Sequence, residues 1–219
     1  MNKSNQLTRY SPRRLYLIIL LSLLVGIVAC QQNPSQARYS IDHSQALSVA
    51  CERVLGKTIV LYQQQNFDEA LAQLILSRRA ACVSQYELAR VEHFQSTLFF
   101  ELNDTQRSLE SISAAVRRDV LEERLQKESL YLAAQLSYLQ MAYTDTLEFL
   151  DLYEELARDV MPSVQVLRAR SHYALGANDL AMQLMLDLYV RYRNGEIEMQ
   201  EDWLDFFRGL QVGSASLTG

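Results

Sequence analysis

LYQQQNFDEALAQL, residues 61–74, contains the end of one apolar segment, a polar break and the start of another. It reads as a tight turn opening an amphipathic helix. Leu71, Leu74 and Ile75 recur at a spacing of three and four, which places one buried stripe on a helix. The same form returns in DTQRSLESI at Asp104, AYTDTLEFL at Ala142 and ANDLAMQLM at Ala177. Aligning Ala70, Ser108, Thr146 and Ala181 gives spacings of 38, 38 and 35 residues. All four are small, as the close approach of two helices requires. Twelve positions earlier stand Thr58, Ser96, Ala134 and Ala169, small again. Eight before the aligned position stand Tyr62, Phe100, Tyr138 and Tyr173, all aromatic.

Composition agrees with a helical repeat. Only 3 Pro and 7 Gly occur in 219 residues, while Leu, Ala, Gln, Glu and Arg, good helix formers, dominate. Strand-type alternation is absent, and the three-and-four spacing recurs in Leu147, Leu150, Tyr153 and in Leu180, Leu184, Leu188. The expected class is all-α.

A period near 34 residues with these small positions resembles the tetratricopeptide (TPR) repeat. Asn66-Phe67-Asp68-Glu69-Ala70 matches the family's turn, and HYALGANDLAMQL carries Gly176 at its turn glycine; the middle two units lack that glycine. The resemblance covers roughly residues 51–195. It implies a right-handed superhelix of about four helical hairpins, with the first helix of each pair forming a concave wall. In this register the wall includes Leu55, Tyr62, His93, Phe100, Tyr131, Tyr138 and Tyr173. The Asn and Lys set of repeats that clamp a chaperone's terminal carboxylate is absent.

The N-terminus carries a different signal. Residues 15–29 form an apolar run of 15 residues, short of the ~20 that span a hydrocarbon core. Lys3, Arg9, Arg13 and Arg14 precede it, as in a secretory signal. Its end, Ile27-Val28-Ala29-Cys30, resembles the lipobox of bacterial lipoprotein precursors. That resemblance implies cleavage before Cys30, acylation of its thiol and, with Gln31 rather than Asp following, the periplasmic face of the outer membrane. More than one acyl chain anchors stably without a spanning helix. The expected organisation is a removed signal (1–29), a lipidated flexible tether (30–43), a repeat domain (44–198), a capping helix (199–211) and a flexible tail (212–219). Removing the signal's four basic residues takes the net charge from −5 to −9, which disfavours nucleic acid and anionic lipid surfaces as partners.

In an oxidising compartment the two remaining cysteines commonly pair. In the proposed register Cys51 opens the first helix of unit one and Cys82 ends the second. Two antiparallel helices joined near Gln65 and Asn66 bring those ends together, so a Cys51–Cys82 disulfide is expected. After the last unit, Trp203, Phe206, Phe207 and Leu210 make one broad apolar face on a short helix. That face suits a cap over the last repeat, with Trp203 or Phe206 as a docking residue in the sharper alternative.

No catalytic, metal or cofactor motif is present. His43, His93 and His172 lie far apart, and neither a phosphate loop nor a G-x-S-x-G elbow occurs. Acidic neighbours such as Glu122-Glu123 and Glu154-Glu155 point about 100° apart on a helix and read as a solvated face. The expected function is therefore a non-enzymatic, lipid-anchored periplasmic scaffold or adaptor that binds another envelope protein. Proteins of this general build include pilus-secretin pilotins, the lipoprotein of the barrel-assembly complex and adaptors of peptidoglycan enzymes. The rival readings are a self-assembling structural lipoprotein and a cell-wall-related enzyme or ligand binder in a helical bundle.

Overall fold

Thr58, Ser96, Ala134 and Ala169 are completely buried, and so are Ala70, Ser108, Thr146 and Ala181. In the computed structural model, which describes residues 46–215, these pairs mark where the helices of each hairpin cross. In the second hairpin the Ser108 hydroxyl donates to the Ser96 carbonyl at 2.9 Å, and the two hydroxyls lie 3.0 Å apart. A larger side chain at any of these positions would force the helices apart.

The described residues form nine α-helices and no strand. They are α1 (Val49–Gln63), α2 (Phe67–Ala81), α3 (Gln85–Glu101), α4 (Thr105–Arg117), α5 (Glu123–Leu139), α6 (Tyr143–Leu156), α7 (Pro162–Ala174), α8 (Asn178–Arg193) and α9 (Glu201–Ala215). The odd-numbered helices α1 to α7 are the first members of four hairpins, and each helix packs on the next in sequence. The core runs along the stack as successive apolar clusters. Leu74, Val91 and Leu98 join the first two hairpins, and Ile112, Leu130, Leu150 and Val164 continue it. Polar bonds tie hairpin to hairpin as well: Arg78 donates to Gln95 at 2.8 Å, Gln126 to the Val116 carbonyl at 3.0 Å, and Arg168 to Asp151 and Glu154 at 2.6 and 3.0 Å.

The four intra-hairpin turns share one backbone solution. Gln65, Asn103, Met141 and Gly176 all have positive φ, at 62°, 58°, 59° and 82°. In each turn the following N–H reaches back to the helix: Asn66 to the Leu61 carbonyl (3.0 Å), Asp104 to Phe99 (2.8 Å), Ala142 to Ser137 (2.9 Å) and Ala177 to His172 (2.9 Å). This is a Schellman ending, in which a left-handed residue satisfies the last helical carbonyls. The middle units thus make the glycine-type turn without the glycine. A non-glycine residue there carries a steric cost of roughly 1–2 kcal/mol. Met141 is well exposed and a Cβ on Gly176 would meet nothing within 4 Å, so only the backbone distinguishes the two sites. Met141→Gly is expected to stabilise by about 0.5–1 kcal/mol and Gly176→Ala to destabilise by about 1 kcal/mol. Opposite shifts of a few degrees in thermal midpoint would check this, and shifts of equal sign would contradict it.

At the C-terminal end, α9 lays Trp203, Phe207 and Leu210 on Ala181, Met185 and Leu188. The helix runs to Ala215, past the position 211 expected from sequence. Gly209 and Gly213 weaken a helix by about 1 kcal/mol each relative to Ala but do not end it. The expected signal segment, Cys30, the tether to residue 43 and His43 lie outside the described residues. No described helix is long and apolar enough to cross a membrane.

Candidate functional site

The positions assigned to the concave wall divide by burial. Leu55 is buried in the core cluster with Cys51, Val54, Leu71 and Val91, so it packs and presents no surface to a wall. Tyr62, Phe100, Tyr138 and Tyr173 occupy the last turn of the first helix in each hairpin and reach the surface in different degrees. Phe100 is 47% and Tyr173 51% exposed, whereas Tyr62 and Tyr138 are half-buried. Each tyrosine leans on another ring: Tyr62 on Phe67 (5.4 Å) and Phe94 (5.7 Å), Tyr138 on Tyr143 (5.4 Å), Tyr173 on Phe206 (5.7 Å). Such edge-to-face and tilted pairs stiffen a ring while leaving part of its face to solvent.

One turn or more before these rings stand His93 and Tyr131, both half-buried. The His93 Nδ1 lies 2.9 Å from the Ser129 hydroxyl on α5. Burial pushes the imidazole below its ordinary value, Arg90 adds to that, and Glu128 and Glu122 oppose it. Tyr131 packs on Tyr153 at 6.0 Å. Tyr62 donates its hydroxyl to Glu101 at 2.9 Å, and this bond, followed by burial, raises the phenol above its ordinary range. Between α3 and α5 the structure adds a group that the sequence did not announce. Arg90 donates to Tyr86 (3.0 Å) and Glu122 (3.1 Å), and Tyr86 also bonds Glu122. The only hint in the chain is that Arg90 precedes His93 by three residues and so shares its helix face.

The docking alternative at the C-terminus separates in the same way. Trp203 is buried in the apolar cluster that covers the fourth hairpin, so it serves as packing and not as a contact residue. Phe206 is half-buried between the Tyr173 ring and the Arg170 guanidinium, which lies 5.5 Å above it and pairs with Asp202 at 2.9 Å.

Cys51 and Cys82 form a disulfide with Cα atoms 4.8 Å apart, both buried. Beside it Glu87, also buried, organises the start of the domain. It accepts from the backbone N–H groups of Ser48 (2.8 Å), Val83 (2.9 Å) and Ser84 (2.9 Å), and completes a capping box with Ser84. Burial alone would raise its carboxyl; the hydrogen bonds from Ser48, Ser84 and Val83 outweigh that and lower it to about 2. One carboxylate therefore holds the entries of α1 and α3 together. Among the described residues no group of three or more His, Cys, Asp and Glu is placed to hold a metal ion.

No known family's sequence profile matches this chain, and no curated protein sequence matches it. Solved structures do. The chain is similar to the Pseudomonas aeruginosa pilF protein at 17% identity and a TM-score of 0.53, over 71% of this chain and 65% of that one. It thus spans about two thirds of the length of that relative. It is also similar to two structures of a Podosopora anserina putative kinesin light chain with nearly identical TPR-like repeats, one of them a point variant. The variant is 13% identical with a TM-score of 0.54, over 77% of this chain and 99% of that one; the other is 13% identical at 0.53, over 76% and 99%. At such identities the likeness concerns architecture, and in architecture this chain is a TPR-like stack of helical hairpins.

Proposed function

We propose that this chain is a lipid-anchored periplasmic scaffold, without catalytic activity, that binds another envelope protein along the wall made by α1, α3, α5 and α7. The fold supports a protein-interaction role in general. The observation that carries the more specific reading is the aromatic ladder. The same repeat position holds a ring in all four hairpins, and two of those rings, Phe100 and Tyr173, are about half-exposed. Large rings with few rotors make good anchors for a partner, and the ring pairs under Tyr62, Tyr138 and Tyr173 hold the wall in shape before binding. Acylation at Cys30 would confine the domain to the outer-membrane surface and raise its effective concentration there, so that modest affinity suffices.

Photo-crosslinking amino acids placed at Phe100 and Tyr173 in the intact chain are expected to trap one and the same envelope protein. The same reagent at Leu76, exposed on α2, is expected not to trap it. Equal yield from all three positions would refute the wall. Labelled palmitate is expected to enter the wild-type chain and not Cys30→Ser; label in both would refute the anchor while leaving the wall standing.

A further inference from the structure

Between α8 and α9 lies a cleft of about 560 Å³ that the wall does not use. Tyr189, Tyr192 and Arg193 of α8 face it at i, i+3 and i+4, and Leu204, Phe207 and Arg208 of α9 do the same from the other side. Polar and apolar side chains line it together: the Tyr189 ring lies tilted 5.0 Å from the buried Phe207, and Leu204 is half-buried beside it. Tyr192, 38% exposed, forms a wall at the mouth.

The charge on this cleft runs against the rest of the molecule. The chain is acidic overall, at −5, yet two arginines and no carboxylate line the space. Arg193 donates to the Tyr189 hydroxyl at 3.4 Å. No carboxylate among the described residues pairs with it. Arg208 pairs with Asp205 at 2.7 Å, but both side chains are well exposed, and such a pair is worth little and is readily exchanged. A guanidinium beside the exposed Tyr192 ring suits a carboxylate attached close to a large apolar group, because the first satisfies the charge bidentately while the second removes apolar surface from water.

We infer that the α8/α9 cleft is a second binding site, separate from the helix wall, for a peptide segment of a partner protein that carries an acidic residue next to an aromatic one. The aromatic side chain sits against Tyr192 and Leu204, and the carboxylate bridges Arg193 and Arg208.

The chain contains a single tryptophan, Trp203, on α9 one turn before Phe207, and its fluorescence reports the site. With the full chain in detergent, N-acetyl-Asp-Phe-amide is the probe, compared with the Asn-Phe and Asp-Ala amides. The Asp-Phe probe is expected to change Trp203 emission saturably, with either replacement weakening binding about tenfold or more. Arg193→Gln is expected to abolish the preference for Asp over Asn while leaving the melting temperature unchanged, since Arg193 is exposed and anchors no other element. Equal binding of the Asp and Asn probes to the wild-type chain would overturn the inference. So would a preference for Asp that survives both Arg193→Gln and Arg208→Gln, or the absence of any saturable response at millimolar probe.

Discussion

Glu87→Gln is expected to lower the stability of the oxidised protein by about 3 kcal/mol at neutral pH. The magnitude follows from linkage: the carboxyl falls from 4.5 to about 2 on folding, and each pKa unit is worth about 1.4 kcal/mol. Because the folded value lies below the unfolded one, this contribution is complete above about pH 5. It declines as the pH falls from 4.5 towards 2 and is gone below that. Glutamine keeps the shape but offers one acceptor oxygen and turns an N–H₂ towards backbone donors from Ser48, Val83 and Ser84, leaving at least one of them without its acceptor. Urea unfolding of wild type and variant at pH 7, 4 and 2.5 measures the effect. The two curves should stand far apart at pH 7 and converge in acid; a gap that stays constant with pH would show that Glu87 contributes packing rather than charge.

Reducing the Cys51–Cys82 bond is expected to cost a similar amount. The bond closes a loop with a sequence separation of 31, for which the chain-entropy relation gives about 3–4 kcal/mol. Cys51→Ser with Cys82→Ser should match chemical reduction, and the freed unfolded chain, more expanded, should steepen the urea dependence. A loss under 1 kcal/mol would mean that the hairpin is held without its staple. The two effects are also expected to be coupled. Ser48 lies three residues before Cys51 and Val83 directly follows Cys82, so loosening the bond displaces two of the donors to Glu87. The combined variant should therefore lose less than the sum of the separate losses.

The hairpin register was legible in the chain because close helix crossings admit only small side chains, and Thr58, Ser96, Ala134 and Ala169 had to be small wherever the stack continued. The disulfide was legible for the same reason, since a correct register brings the ends of α1 and α2 together. The left-handed turns at Gln65 and Met141 were not. Neither residue favours that backbone, and the turn is imposed by carbonyls of Leu61 and Ser137 that lie four residues earlier. Leu55 is buried rather than on the wall because helical spacing gives a face but not which neighbour covers it; only its burial in the core with Cys51 and Leu71 decides that. The apolar face of Trp203, Phe207 and Leu210 covers the last hairpin, the capping role that its helical spacing suits, and that packing buries Trp203. Glu87 carries no sequence signature because a single Glu in a helix's first turn is ordinary, and its donors on Ser48 and Val83 come from separate loops. The α8/α9 cleft escaped because Arg193 and Arg208 are brought together by the descent of α9 onto α8, which no local pattern encodes.

The position of the Cys51–Cys82 bond also determines how the domain answers a mechanical load. A pull applied through the residues before α1 enters near Ser48 and reaches Cys51 within three residues. There it crosses the sulfur bridge to Cys82 and passes on into α3. Residues 52–81 hang as a side loop outside the line of tension, so α1 and α2 cannot be peeled apart from that end until the bridge is cut.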